Sequence, residues 1–428
     1  MQNISKQLIN IYDLLICITN AGDLVRPEFE EHHQRVAYIA YQITDHLGLS
    51  VDEKKDLVLA GLLHDIGALS LDERLELLES EPPTSNGHAH RGALLIEEFA
   101  YLRNAANIIR YHHVPWNFAK GERVNGEPVP LASHILHLAD RVAVLVRKDR
   151  DVLEQVSGIK KSITERKQSV FAPDLVDAFV RMSEKEYIWL DIAYSPLAYL
   201  LQQIVLFETM DLELDEVVEL TRIFSRIIDF RSPFTSYHSA GVAKTAERLA
   251  ELAGFCSAEC KMMVIAGNLH DLGKLAVRRS VLEKKDKLDI FEQNEIKSHT
   301  FYTYRLLRSI KGFETISMWA SFHHEKLNGN GYPFHLHQES IPLGSRIVAV
   351  ADIFTAITEE RPYRAGVSAQ EAVSILWNMA ENGAICPHVV SLLANNLNII
   401  NEARLEAQAG ASREYTVIMG PNQMPVTM

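Results

Sequence analysis

The chain is 428 residues long, 47% hydrophobic and 23% charged, which leaves room for two or three cored domains and excludes wholesale disorder. Its 43 basic residues stand against 56 acidic ones, a net charge of -13 with no basic stripe, so duplex DNA is excluded as a partner and an anionic ligand would need local cations. No run approaches the roughly eighteen apolar residues of a membrane span, the start MQNISKQLINIYDLLICITN lacks the basic region of a signal peptide, and Cys17, Cys256, Cys260 and Cys386 read as buried reduced thiols of a cytoplasmic protein.

In chain order, His32, Val36, Ile39, Ala40 and Ile43 share one face at helical spacing. The run LAGLLHDIG, ending at Gly67, reads as an apolar helix that carries His64-Asp65 within it. Glycine and proline collect at 82–87, 121–130 and 328–333, between helices. Residues 186–230 read as helix with a break near Ser195-Pro196. After His238, the residues Val242, Thr245, Ala246 and Leu249 form another helical face, and VIAGNLHDLG repeats the earlier run. The last dozen residues read as a loose tail. Strand alternation is scarce, so the expected class is all-α.

The chain is built twice. His32 falls on His238, Val36 on Val242, and His64-Asp65 on His270-Asp271 at one constant offset. After a slip of a few residues, His88 falls on His299, His112-His113 on His323-His324, and Asp140 on Asp352. So many polar positions matched in order imply two copies of one fold, 1–205 and 206–428.

Eighteen histidines feed this pattern. Any one of them alone reads as a hydrogen-bonded core histidine. Together, five imidazoles and two carboxylates per copy suit iron, manganese or zinc better than magnesium or calcium. Seven donors are too many for one ion and suit two, with Asp271 placed to bridge them. Two such ions clamp an in-line displacement at phosphorus. A His-Asp pair within an apolar helix also buries a charge that needs a partner, and a metal supplies one.

The second copy resembles the HD-GYP branch of the HD-domain metal-dependent phosphohydrolases. It carries His270-Asp271-Leu272-Gly273-Lys274, then His299, then His323-His324-Glu325 running to Gly331-Tyr332-Pro333, then Asp352, then Arg361-Pro362-Tyr363-Arg364. The resemblance spans about 217–400. It implies tandem HD-type helical bundles, with two divalent ions, iron or manganese, held by His238, His270, Asp271, His299, His323, His324 and Asp352. It further implies that Asp271 and Lys274 act in catalysis, that Lys274, Arg361 and Arg364 contact the substrate, and that the Gly331-Tyr332-Pro333 loop flanks the site and meets partner proteins. The implied reaction is hydrolysis of a 3′,5′-linked cyclic dinucleotide, cyclic di-GMP or 3′,3′-cyclic GMP-AMP, to a linear dinucleotide. A non-hydrolytic receptor, or a scaffold for a diguanylate cyclase partner, is the alternative, and a homodimer is left open.

Departures from the pattern refine this reading. Asn328 replaces the family's Asp, keeping the turn-forming side chain. Phe234 stands where three-metal members carry Glu, so two ions are expected in the second copy. The first copy keeps His32, His64, Asp65, His88, His112, His113 and Asp140, and Glu28 one turn before His32, but Ala68 replaces the lysine and neither the G-Y-P nor the R-P-Y-R run is present. It is expected to be a regulatory or structural domain able to bind metal.

Overall fold

The computed structural model of the chain describes residues 8–24, 31–69, 73, 75–76, 86–205, 207, 210–232, 235–360 and 365–420. They are almost wholly helical. Strand among them is limited to two antiparallel pairs, β1 (Ile9–Asn10) with β4 (Asp211–Leu212) and β2 (Arg123–Val124) with β3 (Glu127–Pro128). The chain divides into two compact units, one of residues 26–209 and one of 1–25 with 210–428.

The compact units differ at the N-terminus from the expected 1–205 and 206–428 boundaries. α1 (Ile11–Asp23) belongs with the C-terminal half. Ile9 pairs with Leu212 and Asn10 with Asp211, and Asn10 Nδ2 donates to Asp211 Oδ1 at 3.1 Å. The buried face of α1, including Ile11, Leu14 and Leu15, packs on the 3-10 turn Leu272–Ala276. This pairing across two hundred residues of chain has no local signature.

In the unit of 26–209, α2 (His32–Ile43) lies against α3 (Val51–Leu63), with α4 (Asn86–Ile96), α5 (Arg103–Arg110) and α6 (Leu131–Leu145) completing the bundle. α7 (Val152–Glu165), α8 (Pro173–Met182), α9 (Glu186–Tyr194) and α10 (Leu197–Ile204) follow. In the other unit, α11 (Leu214–Asp229), α12 (His238–Leu252), α13 (Ser257–Leu269) and the short α14 (Arg279–Leu282) lead to α15 (Ile290–Arg308), α16 (Glu314–Ser321) and α17 (Leu343–Thr358). The chain then runs through α18 (Ala369–Glu381), α19 (Pro387–Asn395) and α20 (Leu397–Met419). α12 is central, packed on α13, α17 and α20.

The duplication extends to local devices. α3 starts with a capping box in which Ser50 N donates to Glu53 Oε2 at 2.8 Å. α13 starts with the same device at Cys256 and Glu259, also at 2.8 Å. That role leaves Cys256 exposed, unlike Cys17, Cys260 and Cys386, and corrects the expectation of four buried thiols. Both copies also cross their first two helices through a glycine. A Cβ on Gly61 would stand 2.7 Å from Ala37 Cα, and one on Gly267 would stand 2.5 Å from Ala243 Cα.

Three further expectations change. Besides the expected break at Ser195-Pro196, the helix expected over 186–230 also breaks between α10 and α11, where β4 pairs with β1. The final helix runs through Met419, so the first three of the dozen residues expected as a loose tail are helical, and 421–428 lie outside the described residues. His64 and His270 are the C-caps of α3 and α13 rather than residues within them.

Gly267→Ala is expected to lower unfolding free energy by about 1–3 kcal/mol through overpacking of α12 on α13. Denaturant titration checks this, and an unchanged midpoint would show that the helices have room to part.

Candidate metal centres

In the C-terminal unit three helix ends and two helix interiors deliver the site. His238 opens α12, whose first turn is tied down by Asp229, accepting from Ser239 N and Oγ at 2.9 Å each. His270 and Asp271 follow α13, His299 lies in α15, His323-His324 follow α16, and Asp352 lies in α17. A Cβ on Gly273 would stand 2.0 Å from His299 O, so the glycine of the HD-x-G motif lets the turn close onto α15.

All seven expected side chains converge. Donor atoms of His238, His270 and Asp352 lie within 4.8 Å of one another, as do those of His299, His323 and His324. Asp271 stands between the two groups, with Oδ2 3.2 Å from His270 Nε2 and Oδ1 3.4 Å from His299 Nε2. The Nε2 atoms of His299 and His323 face each other at 3.3 Å.

Helix geometry sets the imidazole tautomers. Nδ1 of His270 meets Gly267 O at 2.8 Å, Nδ1 of His299 meets Ile296 O at 2.6 Å, and Nδ1 of His323 meets Ala320 O at 2.6 Å. A carbonyl accepts only Nδ1–H, so each Nε2 is left as a lone pair directed into the site. His238, at a helix start, has no such carbonyl below it. Glu359 takes that place, with Oε2 3.0 Å from Nδ1, while Nε2 lies 3.2 Å from Asp352 Oδ1. Gln408 Nε2 donates to Glu359 Oε1 at 2.6 Å, and Arg404 Nη1 donates to Gln408 Oε1 at 2.7 Å.

Charge divides the site. Burial pushes His299 down to about 3 and His324 to about 4, and pushes His323 well below its usual value, so these three are neutral imidazoles near pH 7. Burial also depresses His238, but the Glu359 and Asp352 carboxylates outweigh it and lift the imidazole to about 10. Burial raises Asp271, yet His270 and Lys274 hold its carboxyl well below the usual range. Lys274 Nζ lies 2.5 Å from Asp271 Oδ2. His270 Nε2 and Asp271 Oδ1 are buried with no hydrogen bond of acceptable geometry. In a protein interior such atoms call for a ligand, and neutral imidazoles facing a carboxylate fit divalent transition metals.

Several supporting residues were not legible beforehand. Glu359 and Gln408 carry no local signal. Arg231, buried, donates Nη1 to Lys274 O at 2.6 Å and Nη2 to Val277 O at 3.1 Å, holding the turn that presents Lys274. Glu325 belongs to the H-H-E motif and organises the loop beyond it, accepting from Phe334 N at 2.7 Å and Leu336 N at 2.9 Å. A Cβ on Gly331 would stand 2.3 Å from Lys326 N, and the Tyr332 ring lies 4.9 Å from that of His324, next to Pro333. Asn328 accepts from Asn330 N at 3.1 Å, so the turn forms without the family's Asp. Arg361, Arg364, Phe234 and Glu28 lie outside the described residues.

The unit of 26–209 builds a comparable constellation. Asp65 Oδ2 lies 3.2 Å from His64 Nε2 and Oδ1 lies 3.2 Å from His88 Nε2. Donor atoms of Asp65, His88, His112 and His113 form one group and those of His32, His64 and Asp140 another. Nδ1 of His64 meets Gly61 O at 2.9 Å and that of His112 meets Ile109 O at 2.7 Å. His33, which lies outside the repeated pattern, groups with His64 and Asp65, where the second copy has Ser239. Arg141 Nη2 donates to Asp140 Oδ2 at 2.7 Å. Ala68 is buried where the other copy presents Lys274.

Two family models, each described as an HD domain, match residues 29–145 and 222–389. The chain is 30% identical over 398 residues to the 3′3′-cGAMP-specific phosphodiesterase 1 of Vibrio cholerae serotype O1, covering 91% of this chain and 92% of that one. The chain belongs to the HD-GYP family. Its two HD units are also matched along their length by the 3′3′-cGAMP-specific phosphodiesterase 3 of the same organism, at 27% identity over 93% of this chain and 97% of the relative. The cyclic di-GMP phosphodiesterase response regulator RpfG of Xanthomonas campestris pv. campestris is 36% identical over 179 residues, 41% of this chain and 47% of that protein. The crystal structure of a cyclic GMP-AMP specific phosphodiesterase of V. cholerae, V-cGAP3, shares the fold, with a TM-score of 0.63 at 24% identity over 92% of this chain and 98% of that one. No helix among the described residues is long and apolar enough to cross a membrane.

Glu359→Gln keeps the shape beside His238 but removes the charge that fixes its tautomer. Metal affinity of the C-terminal centre is expected to fall roughly 10–100-fold, measured by equilibrium dialysis. Unchanged affinity would exclude Glu359 from supporting that ligand.

Proposed function

We propose that residues 210–428 carry the catalytic centre of a metal-dependent cyclic dinucleotide phosphodiesterase, and that 3′,3′-cyclic GMP-AMP is its substrate in preference to cyclic di-GMP. The observation that carries the catalytic reading is Asp271, whose two oxygens each face one cluster of metal-type donors while Lys274 stands at its flank. The preference is supported by the relatives matched over both units, which are named for cyclic GMP-AMP.

His238, His270 and Asp352 would hold one divalent cation, His299, His323 and His324 the other, and Asp271 would join both, with iron or manganese the fitting metals. When bound, the pair supplies Lewis-acid charge at phosphorus and lowers the pKa of a water. Lys274 Nζ is positioned to donate to a phosphate oxygen. Asp271 and the carbonyls behind the imidazoles hold the donors in place before substrate arrives. In the reaction, water oxygen bonds to phosphorus, the bond from phosphorus to the ribose 3′-oxygen breaks, and that oxygen takes a proton. The product is a linear dinucleotide ending in a 5′-phosphate. The unit of 26–209 would hold metal through His32, His64, Asp65, His88, His112, His113 and Asp140, but Ala68 cannot donate, so its role is regulatory or structural.

The His270→Ala/Asp271→Ala double variant is expected to abolish formation of linear product, while His64→Ala/Asp65→Ala retains it. Both are read by chromatography of 3′,3′-cyclic GMP-AMP digests, and loss only in the second would reverse the assignment of roles. Lys274→Met is expected to lower kcat by about 10²–10³-fold with metal content unchanged. Removing metal with a chelator is expected to destabilise the fold, because metal restored at about 100 times its Kd contributes about 2.7 kcal/mol. Calorimetry of stripped and reloaded protein tests this, and equal melting would count against a resident metal.

A further inference from the structure

Beside His238, Asp271 and Lys274 opens a cavity of about 510 Å³, whose far wall is the strap formed by residues 281–288. Its size is that of a small-molecule site. A cyclic dinucleotide carries two phosphodiesters, and the metal donors can engage only one. The other must be met elsewhere, by a chain whose net charge of -13 repels it.

The basic groups lining the cavity fall into two kinds. Arg231 is committed to two carbonyls, Lys274 to Asp271, and Lys284 to both oxygens of Glu292 at 2.7 and 2.6 Å. Lys285 and Lys287 are exposed at the rim and have no partner among the described residues. We propose that Lys285 and Lys287 bind the second, uncleaved phosphate of the cyclic dinucleotide and so help select a two-phosphate ring. This rests on the catalytic reading given above.

The strap is held firmly enough to present them. Glu283 N donates to Arg279 O at 2.9 Å, and Gln293 Nε2 donates to Leu288 O at 2.9 Å. Glu292 and Gln293 both lie in α15, the helix that supplies His299. The backbone of the strap that carries the lysines is therefore anchored to the helix that carries His299. Asp286 lies between them on the same wall and offsets one of the two charges, so the surplus is one positive charge.

The test uses the full-length, metal-loaded chain with 3′,3′-cyclic GMP-AMP as the probe. Lys285→Gln/Lys287→Gln is expected to raise KM about tenfold, the combined effect of two exposed ion pairs, with kcat within about twofold of the parent. Lys285→Arg/Lys287→Arg is expected to keep KM near the parent value. The parent KM should also rise more steeply with potassium chloride than that of the glutamine variant, because screening acts on charges still present. An unchanged KM in the glutamine variant, or a fall in kcat together with a lowered melting temperature, overturns the assignment. If the parent itself makes no linear product from either cyclic dinucleotide, the catalytic reading fails first, and the assignment with it.

Discussion

Each unit is organised around a carboxylate, the buried Asp271 in one and the mostly buried Asp65 in the other, that must be shared between two groups of imidazoles. Burying a carboxylate among apolar helices costs several kcal/mol unless opposite charge or hydrogen bonding compensates. Here the compensation comes from two directions at once, because one oxygen faces His270 or His64 and the other faces His299 or His88. The surrounding bundle is arranged to bring those faces together. Glycines let the first two helices cross closely and let the HD-x-G turn close onto the helix carrying the third histidine.

The site is shaped by where each histidine sits on its helix. A histidine within a helix or just past its C-terminal end has a carbonyl three residues back to accept its Nδ1–H, and His64, His112, His270, His299 and His323 all use one. His238 sits at a helix start and cannot. Glu359, braced by Gln408 from the final helix, therefore enters the site from far along the chain. The final helix is thereby coupled to the metal centre although it supplies no ligand.

The two copies share their donors and differ in what surrounds them. In the C-terminal unit, Lys274 and the loop organised by Glu325 flank the donors, and Arg231 holds the lysine-bearing turn. In the other unit a buried alanine occupies the lysine position and Arg141 ties up one oxygen of Asp140. Donors whose neighbouring arginine is already paired with one of them can bind metal yet offer a phosphodiester little help in reaching its transition state. The proposed separation of metal binding from catalysis rests on this difference.

All fourteen expected donors and the helical class were legible in the amino-acid order, because a duplicated set of rare residue types at matched spacing survives without knowledge of contacts. Lys274 was legible too, since a lysine three residues after an aspartate reaches it in any helical turn. Glu359, Arg231 and His33 were not, because each acts through a partner distant in sequence or through packing that a one-dimensional pattern does not encode. Docking of α1 onto the C-terminal unit was hidden for the same reason. It rests on a two-residue strand pair whose partners stand two hundred positions apart. Local spacing determines which side chains can share a helix face, and only the folded chain decides which faces meet.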